Sequence, residues 1–153
     1  LVVIEDTAEL HLDRPQVVRL EARDHPLGPV AGIRELVRAS LRLRPDRIVV
    51  GEVRGAEALD MVWALNTGHP GSMSTLHADG PAEALSRLET LCLHGAESIP
   101  PAAIARQVRN AIDAVVLVRR GERTGRRHVA GVWTTRTGTD CPELRRVDVG
   151  APA

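Results

Sequence analysis

The chain of 153 residues contains no lysine, no phenylalanine and no tyrosine, and only two tryptophans. Without aromatic faces on which bases could stack, direct nucleic-acid binding is not expected. Cysteine is scarce too. Cys92 and Cys141 lack metal-ligand spacing and read as reduced thiols of a cytosolic protein rather than as a disulfide. No apolar run approaches the roughly 18 residues of a membrane span, and no signal peptide is expected. An excess of charge is also missing: 20 basic residues balance 20 acidic ones, so no global field attracts nucleic acid or a membrane. One local cluster, RRGERTGRR at residues 119–127, reads as a solvated hairpin loop. A phosphate or lipid contact would require its arginines to gather on one face.

The length allows one hydrophobic core and not two full domains. The chain opens on LVVIEDTAEL, a strand already under way with no methionine, so further residues are expected upstream. LVVI is a short buried strand closed by Glu5 and Asp6, and QVVRLEAR (16–23) alternates as a second strand would. Pro and Gly punctuate DHPLGPVAG, which is placed as a loop. A helix is predicted from Ile33 to Leu43, with Ile33, Leu36, Val37, Ser40 and Leu41 on one face. After Pro45, RIVVG has the short, non-alternating character of a strand in a parallel sheet. Helical spacing then covers residues 56–68 and stops on Gly68. SMSTLHA reads as another strand, and residues 81–93 as a helix with proline in its first turn and Leu85, Leu88, Leu91 and Cys92 on one side. AAIARQVRNAI is a further helix. DAVVLVRR, RHVAGVWTT and ELRRVDVG look like antiparallel strands. The expected class is α/β: a mostly parallel sheet over residues 1–118, with an antiparallel carboxy-terminal edge over about 113–150.

Several residues are candidates for chemistry. Glu52 follows the most apolar strand, where open α/β sheets gather ligands. A carboxylate there either orients a water or a water-coordinated magnesium ion toward a phosphoryl group, or is an ordinary strand-end acid. Glu5 and Asp6 pose the same alternatives. Side chains alternate along a strand, so one of them faces a site while the other caps the turn, unless both simply form the turn. In NTGHPGSMSTLHA, His69 and His77 are eight positions apart, too far for the helical pair of a zinc protease. Loop glycines beside Ser72, Ser74 and Thr75 suit close approach to phosphate, and histidines hydrogen-bonded to loop carbonyls are the alternative. Arg19, Arg23, Arg42, Arg44, Arg47 and Arg54 fall near predicted element ends, where guanidinium forks match polyphosphate.

Residues 41–91 closely resemble the secretion-type ATPases of type II and type IV secretion and type IV pili. IVVGEVRG is similar to their Walker B segment, TGHPGSMSTLHA to their histidine box, LVVIEDTAEL to their acidic box, and VVRLEAR to the arginine-containing stretch that follows it. The likeness runs over about residues 1–118 and looks nearest to the tight-adherence (Flp) and conjugation-type branch. It implies a RecA-like P-loop NTPase core with ATP and Mg2+ as cofactors. Glu52 would be the Walker B glutamate that holds magnesium through water, and Glu5 would lie near the attacking water with Asp6 beside it. His77 would approach the phosphates, His69 would shape the same loop, and Arg19 and Arg23 would work near the nucleotide or a subunit interface. A homo-hexamer acting on an inner-membrane platform protein is implied, cytoplasmic and peripheral to the inner face of the membrane.

The phosphate-cradling GxxxxGK[ST] loop has no counterpart in these residues. The chain by itself is therefore expected to turn over ATP negligibly and to self-associate. HVAGVWTTRTGTDCPELRRVDVG follows the family only loosely, so no function is assigned to Trp133 or Cys141. Two other readings stay open: a non-catalytic ring subunit that kept the fold, and a basic module using residues 119–127 on lipid or nucleic acid.

Overall fold

The computed structural model describes residues 1–23, 31–135 and 144–148. Four short strands form a wholly parallel sheet in the order β2-β1-β3-β4, with β1 at Val2–Glu5, β2 at Val18–Glu21, β3 at Ile48–Val50 and β4 at Met73–Ser74. The β-branched side chains of β1 and β3 suit a pleated surface covered on both faces. All of β1 is buried, and Val50 and Ile48 join it in the core.

The helices follow from local signals. The helix α1 spans Ile33–Ser40, and the Glu35 carboxylate accepts the Gly32 N–H at 3.1 Å across its first turn. The helix α2 (Glu57–Leu65) ends where the Thr67 hydroxyl donates to the Ala64 carbonyl and Gly68 takes φ 101°. Proline stands in the first turn of α3 (Pro81–His94) and of α4 (Pro101–Ala111), where a missing N–H costs nothing. Leu85, Leu88, Leu91 and Cys92 of α3 are buried as their spacing predicts, and burial pushes the Cys92 thiol up to about 12. The helices meet over one core with Val37, Leu59, Val62, Ile104 and Val108 at its centre. Asp60 is buried on α2, and its two oxygens take Nε of Arg34 and Nε of Arg38 from α1, each at 2.6 Å.

Four expectations change. The helix predicted to Leu43 gives way after Ser40 to a 3-10 turn, Leu41–Leu43, closed by Arg44 at φ 50°. The turn rotates Leu41 off the apolar face and leaves it exposed. The strand expected over 16–23 narrows to Val18–Glu21, an outer strand paired on one side only. The strand expected over SMSTLHA shrinks to Met73–Ser74, because only those residues find register with β3. The late strands β5 (Ala114–Arg120), β6 (Arg127–Thr135) and β7 (Leu144–Val147) are antiparallel as read, but they form a separate three-stranded sheet, not an edge of the parallel one. Val115 and Leu144 seat that sheet against the common core. Most of the loop expected at 24–32 and Cys141 lie outside the described residues.

Candidate active site at the carboxyl ends of β1 and β3

Parallel pairing brings Glu5, the last residue of β1, beside the loop that carries the acid after β3. The ladder continues past the strands, since the Gly51 N–H donates to the Ile4 carbonyl at 2.8 Å. A side chain at Gly51 would place its Cβ 3.2 Å from Cγ of Glu5, so glycine permits the close approach of the two loops. Glu5 is 6% exposed and its Oε1 accepts the N–H groups of Glu9 and Leu10 at 3.0 and 2.9 Å. Glu5 thus organises the connection from β1 to β2, which has no helix. From β2, Arg19 donates to the Leu10 and Leu12 carbonyls of that same connection.

Glu52 lies just beyond β3, with its side chain 19% exposed and both oxygens engaged. Nη2 of Arg54 donates to Oε2 at 2.5 Å, and Nε2 of His77 stands 3.2 Å from Oε1. The Arg54 hydrogen bond holds the Glu52 carboxyl below the usual carboxylate range. Partial burial opposes this, and the charges of Arg54, His77 and Arg87 add to it. Arg54 is raised in turn, first by that bond and then by the Glu52 charge, with smaller help from Asp6 and Glu57. The exposed Asp6 thus adds its charge to the surroundings of the same guanidinium without bonding to it.

His77 reaches Glu52 although β4 ends three residues earlier. The Val53 N–H donates to the Thr75 carbonyl at 3.0 Å, and the Thr75 hydroxyl donates to the Gly51 carbonyl at 2.6 Å. These two bonds stitch the loop after β4 to the loop after β3. Glu57 fixes the next turn, its Oε1 accepting the Arg54 and Gly55 N–H groups at 2.6 and 2.8 Å.

The structure thus gathers Glu5, Asp6, Glu52 and His77 at one end of the sheet. Arg19 lies on the flank of this group, engaged with the loop. The Arg23 N–H donates to the Ala31 carbonyl at 3.3 Å, which brackets the loop before α1. His69 is placed elsewhere. Its Nδ1 is 2.9 Å from the Ala64 carbonyl, and its carbonyl accepts the Ser72 hydroxyl, whose oxygen accepts the N–H of Ile48 at the start of β3. That is the opposite end of β3 from Glu52, where His69 lines a polar cleft of about 340 Å³ with Asn66, Ser72, Asn110 and Asp113. Among the described residues no group of three or more His, Cys, Asp or Glu is placed to hold a metal.

Sequence reasoning missed the pairing of Arg54 with Glu52 and the role of Glu57. The available signal was an acid three positions after Arg54 at a helix start, a spacing that lets a carboxylate cap the turn. Arg87 gave less warning, since its effect depends on how α3 is seated.

An α/β fold with paired acids at the carboxyl ends of neighbouring parallel strands is the arrangement of a RecA-like NTPase core, here in part. The profile of the type II/IV secretion system protein family matches residues 1–147, and the chain belongs to that family. A protein of Mycobacterium tuberculosis (strain H37Rv) whose name assigns it to conjugal transfer is 45% identical over 139 residues, 89% of this chain and 38% of that protein. The type IV secretion system protein PtlH of Bordetella pertussis is 38% identical, over 87% of this chain and 41% of its own length. Among solved structures, the VirB11 ATPase of the Brucella suis type IV secretion system superposes with a TM-score of 0.76 at 33% identity, covering 87% of this chain and 39% of that one. The chain spans about two-fifths of the length of these relatives.

Proposed function

We propose that these residues form part of the motor domain of an ATPase that powers a secretion or conjugation machine. The observation that carries the reading is the Glu52–His77 contact, formed between two family motifs at the carboxyl edge of a parallel sheet. Held ionised by its neighbours, Glu52 suits a role in orienting water and, through water, Mg2+. Glu5 shapes the adjoining loop next to the attacking water, with Asp6 beside it, and His77 approaches the phosphates. Arg19 and Arg23 serve the rim of the site or a subunit boundary. His69 shapes the histidine-box loop from its far end.

The residues fit the water and magnesium side of ATP hydrolysis. They do not include a cradle for the phosphates, because no GxxxxGK[ST] loop and no lysine occur among them. That part would come from the remainder of a longer protein, assembled as a homo-hexamer at the cytoplasmic face of the inner membrane against a platform protein. No helix among the described residues is long and apolar enough to cross a membrane. The relatives named above favour conjugation and type IV secretion as the machine served, and none of them favours the tight-adherence branch.

The test is steady-state ATP turnover. The full-length protein should hydrolyse ATP with Mg2+ and lose turnover on Glu52→Gln, while the 153-residue chain alone should be inactive. Turnover by the chain alone that Glu52→Gln abolishes would contradict the division of labour. A full-length protein that neither binds nor hydrolyses ATP would contradict the function.

A further inference from the structure

Both oxygens of Glu52 are taken in this structure, one by His77 and the other by Arg54. Each oxygen keeps a second lone pair, but a cation held there competes with hydrated Mg2+, so one partner yields when the ion binds. Arg54 is built to be that partner. Its side chain is 69% exposed against 19% for Glu52, so the cation can leave while the acid stays in place; His77 is more exposed still, at 88%, but only Arg54 carries the permanent planar charge that suits polyphosphate. Its backbone is held independently, because the Arg54 and Gly55 N–H groups donate to Glu57. The turn therefore persists whichever way the guanidinium points. Among the described residues the guanidinium bonds only Glu52, and the charge of Asp6 in the loop after β1 acts on it more weakly. The charge of Arg87 on α3 also favours the ionised Glu52, to a smaller degree than Arg54 does.

We propose that Arg54 is a detachable counter-ion of Glu52: it occupies Oε2 in the resting site and transfers its guanidinium to polyphosphate when nucleotide binds, freeing that oxygen. A polyphosphate carries more charge than one carboxylate and matches a guanidinium fork. The exposed pair is correspondingly weak and exchangeable. The inference rests on the ATPase reading above and adds a positioning residue to it.

The experiment uses the full-length protein and a fluorescent ATP analogue, titrated at a series of Mg2+ concentrations, for wild type, Arg54→Ala and Arg54→Lys. In Arg54→Ala the Mg2+ concentration for half-maximal binding should fall by about two- to fivefold, because the competing cation is gone. Nucleotide affinity at saturating Mg2+ should weaken by a similar factor, about two- to fivefold, because the phosphate contact is lost. Arg54→Lys keeps the charge but not the fork and should fall between wild type and Arg54→Ala in both. A merely structural role would not move the two readouts in opposite senses. No change in either, or a joint weakening, overturns the proposal while wild-type binding upholds the ATPase reading. A wild-type protein that fails to bind the analogue overturns both.

Discussion

Nε2 of His77 lies 3.2 Å from Oε1 of Glu52, although the two residues belong to different loops and His77 follows a strand of only two residues. The contact depends on Thr75, whose hydroxyl and carbonyl tie its loop to Gly51 and Val53. Thr75→Val keeps the shape and removes the hydroxyl donor. It should weaken the Glu52–His77 contact and lower turnover of the full-length protein with little change in Tm. Turnover equal to wild type would show that the backbone bond alone sets the position of His77.

The Glu52 charge gives a pH dependence of defined sign. Its folded pKa is lowered from an ordinary 4.5, chiefly by the Arg54 hydrogen bond. The stabilisation is therefore complete above 4.5 and is lost as pH falls through the lower folded value. In thermal melts, the advantage of wild type over Glu52→Gln should be constant near neutral pH and shrink below about pH 4. An advantage that grows on acidification would invert the assignment.

Glu5 has a structural role separable from chemistry. Glu5→Ala strips the acceptor from two N–H groups beside a buried site and should cost about 2 kcal/mol in denaturant unfolding. Glu5→Gln retains an amide oxygen and should keep most of that stability. If Glu5→Gln folds normally yet abolishes turnover of the full-length protein, Glu5 acts in the reaction as well as in the loop.

Asp60 clamps α1 to α2 by accepting from Arg34 and Arg38. Asp60→Ala leaves both arginines without their shared acceptor and opens a space at the helix pair. The arginines keep their outer edges in water, so the loss should be about 2 kcal/mol, or about 4–8 °C in Tm, and not that of a fully enclosed pair. A change under a degree would mean that water replaces the carboxylate.

Exposed apolar surface predicts self-association of the 153-residue chain. Val116, Val118 and Val129 are each more than half exposed, and Val118 pairs directly with Val129 on the antiparallel sheet. Met73, 66% exposed, sits on the outer strand of the parallel sheet. Sedimentation should give a weight-average mass that rises with concentration, and a constant monomer mass would refute this.

Much of the fold was legible because local chemistry and tertiary structure agree. Val2–Ile4, Ile48 and Val50 are β-branched and buried, and Pro81 opens a helix where it was expected. The acids after β1 and β3 were visible as strand-end residues, but their proximity depends on strand order, which periodicity does not encode. The histidine loop misled for a related reason. His69 and His77 lie close in sequence, yet β4 runs between them and carries them to opposite ends of the sheet. The separate antiparallel sheet was hidden because strands of either sheet have the same local signature.

The Leu10 peptide is gripped on both sides, its N–H by Glu5 and its carbonyl by Arg19. One long connection thereby becomes two short ones in tandem, residues 6–9 beside the site and 11–17 away from it. Closing two short segments at a fixed point restricts each more than a free loop of the combined length. The Glu9 and Leu10 amides should thus exchange their hydrogens more slowly than the rest of the connection, a stationary post within it.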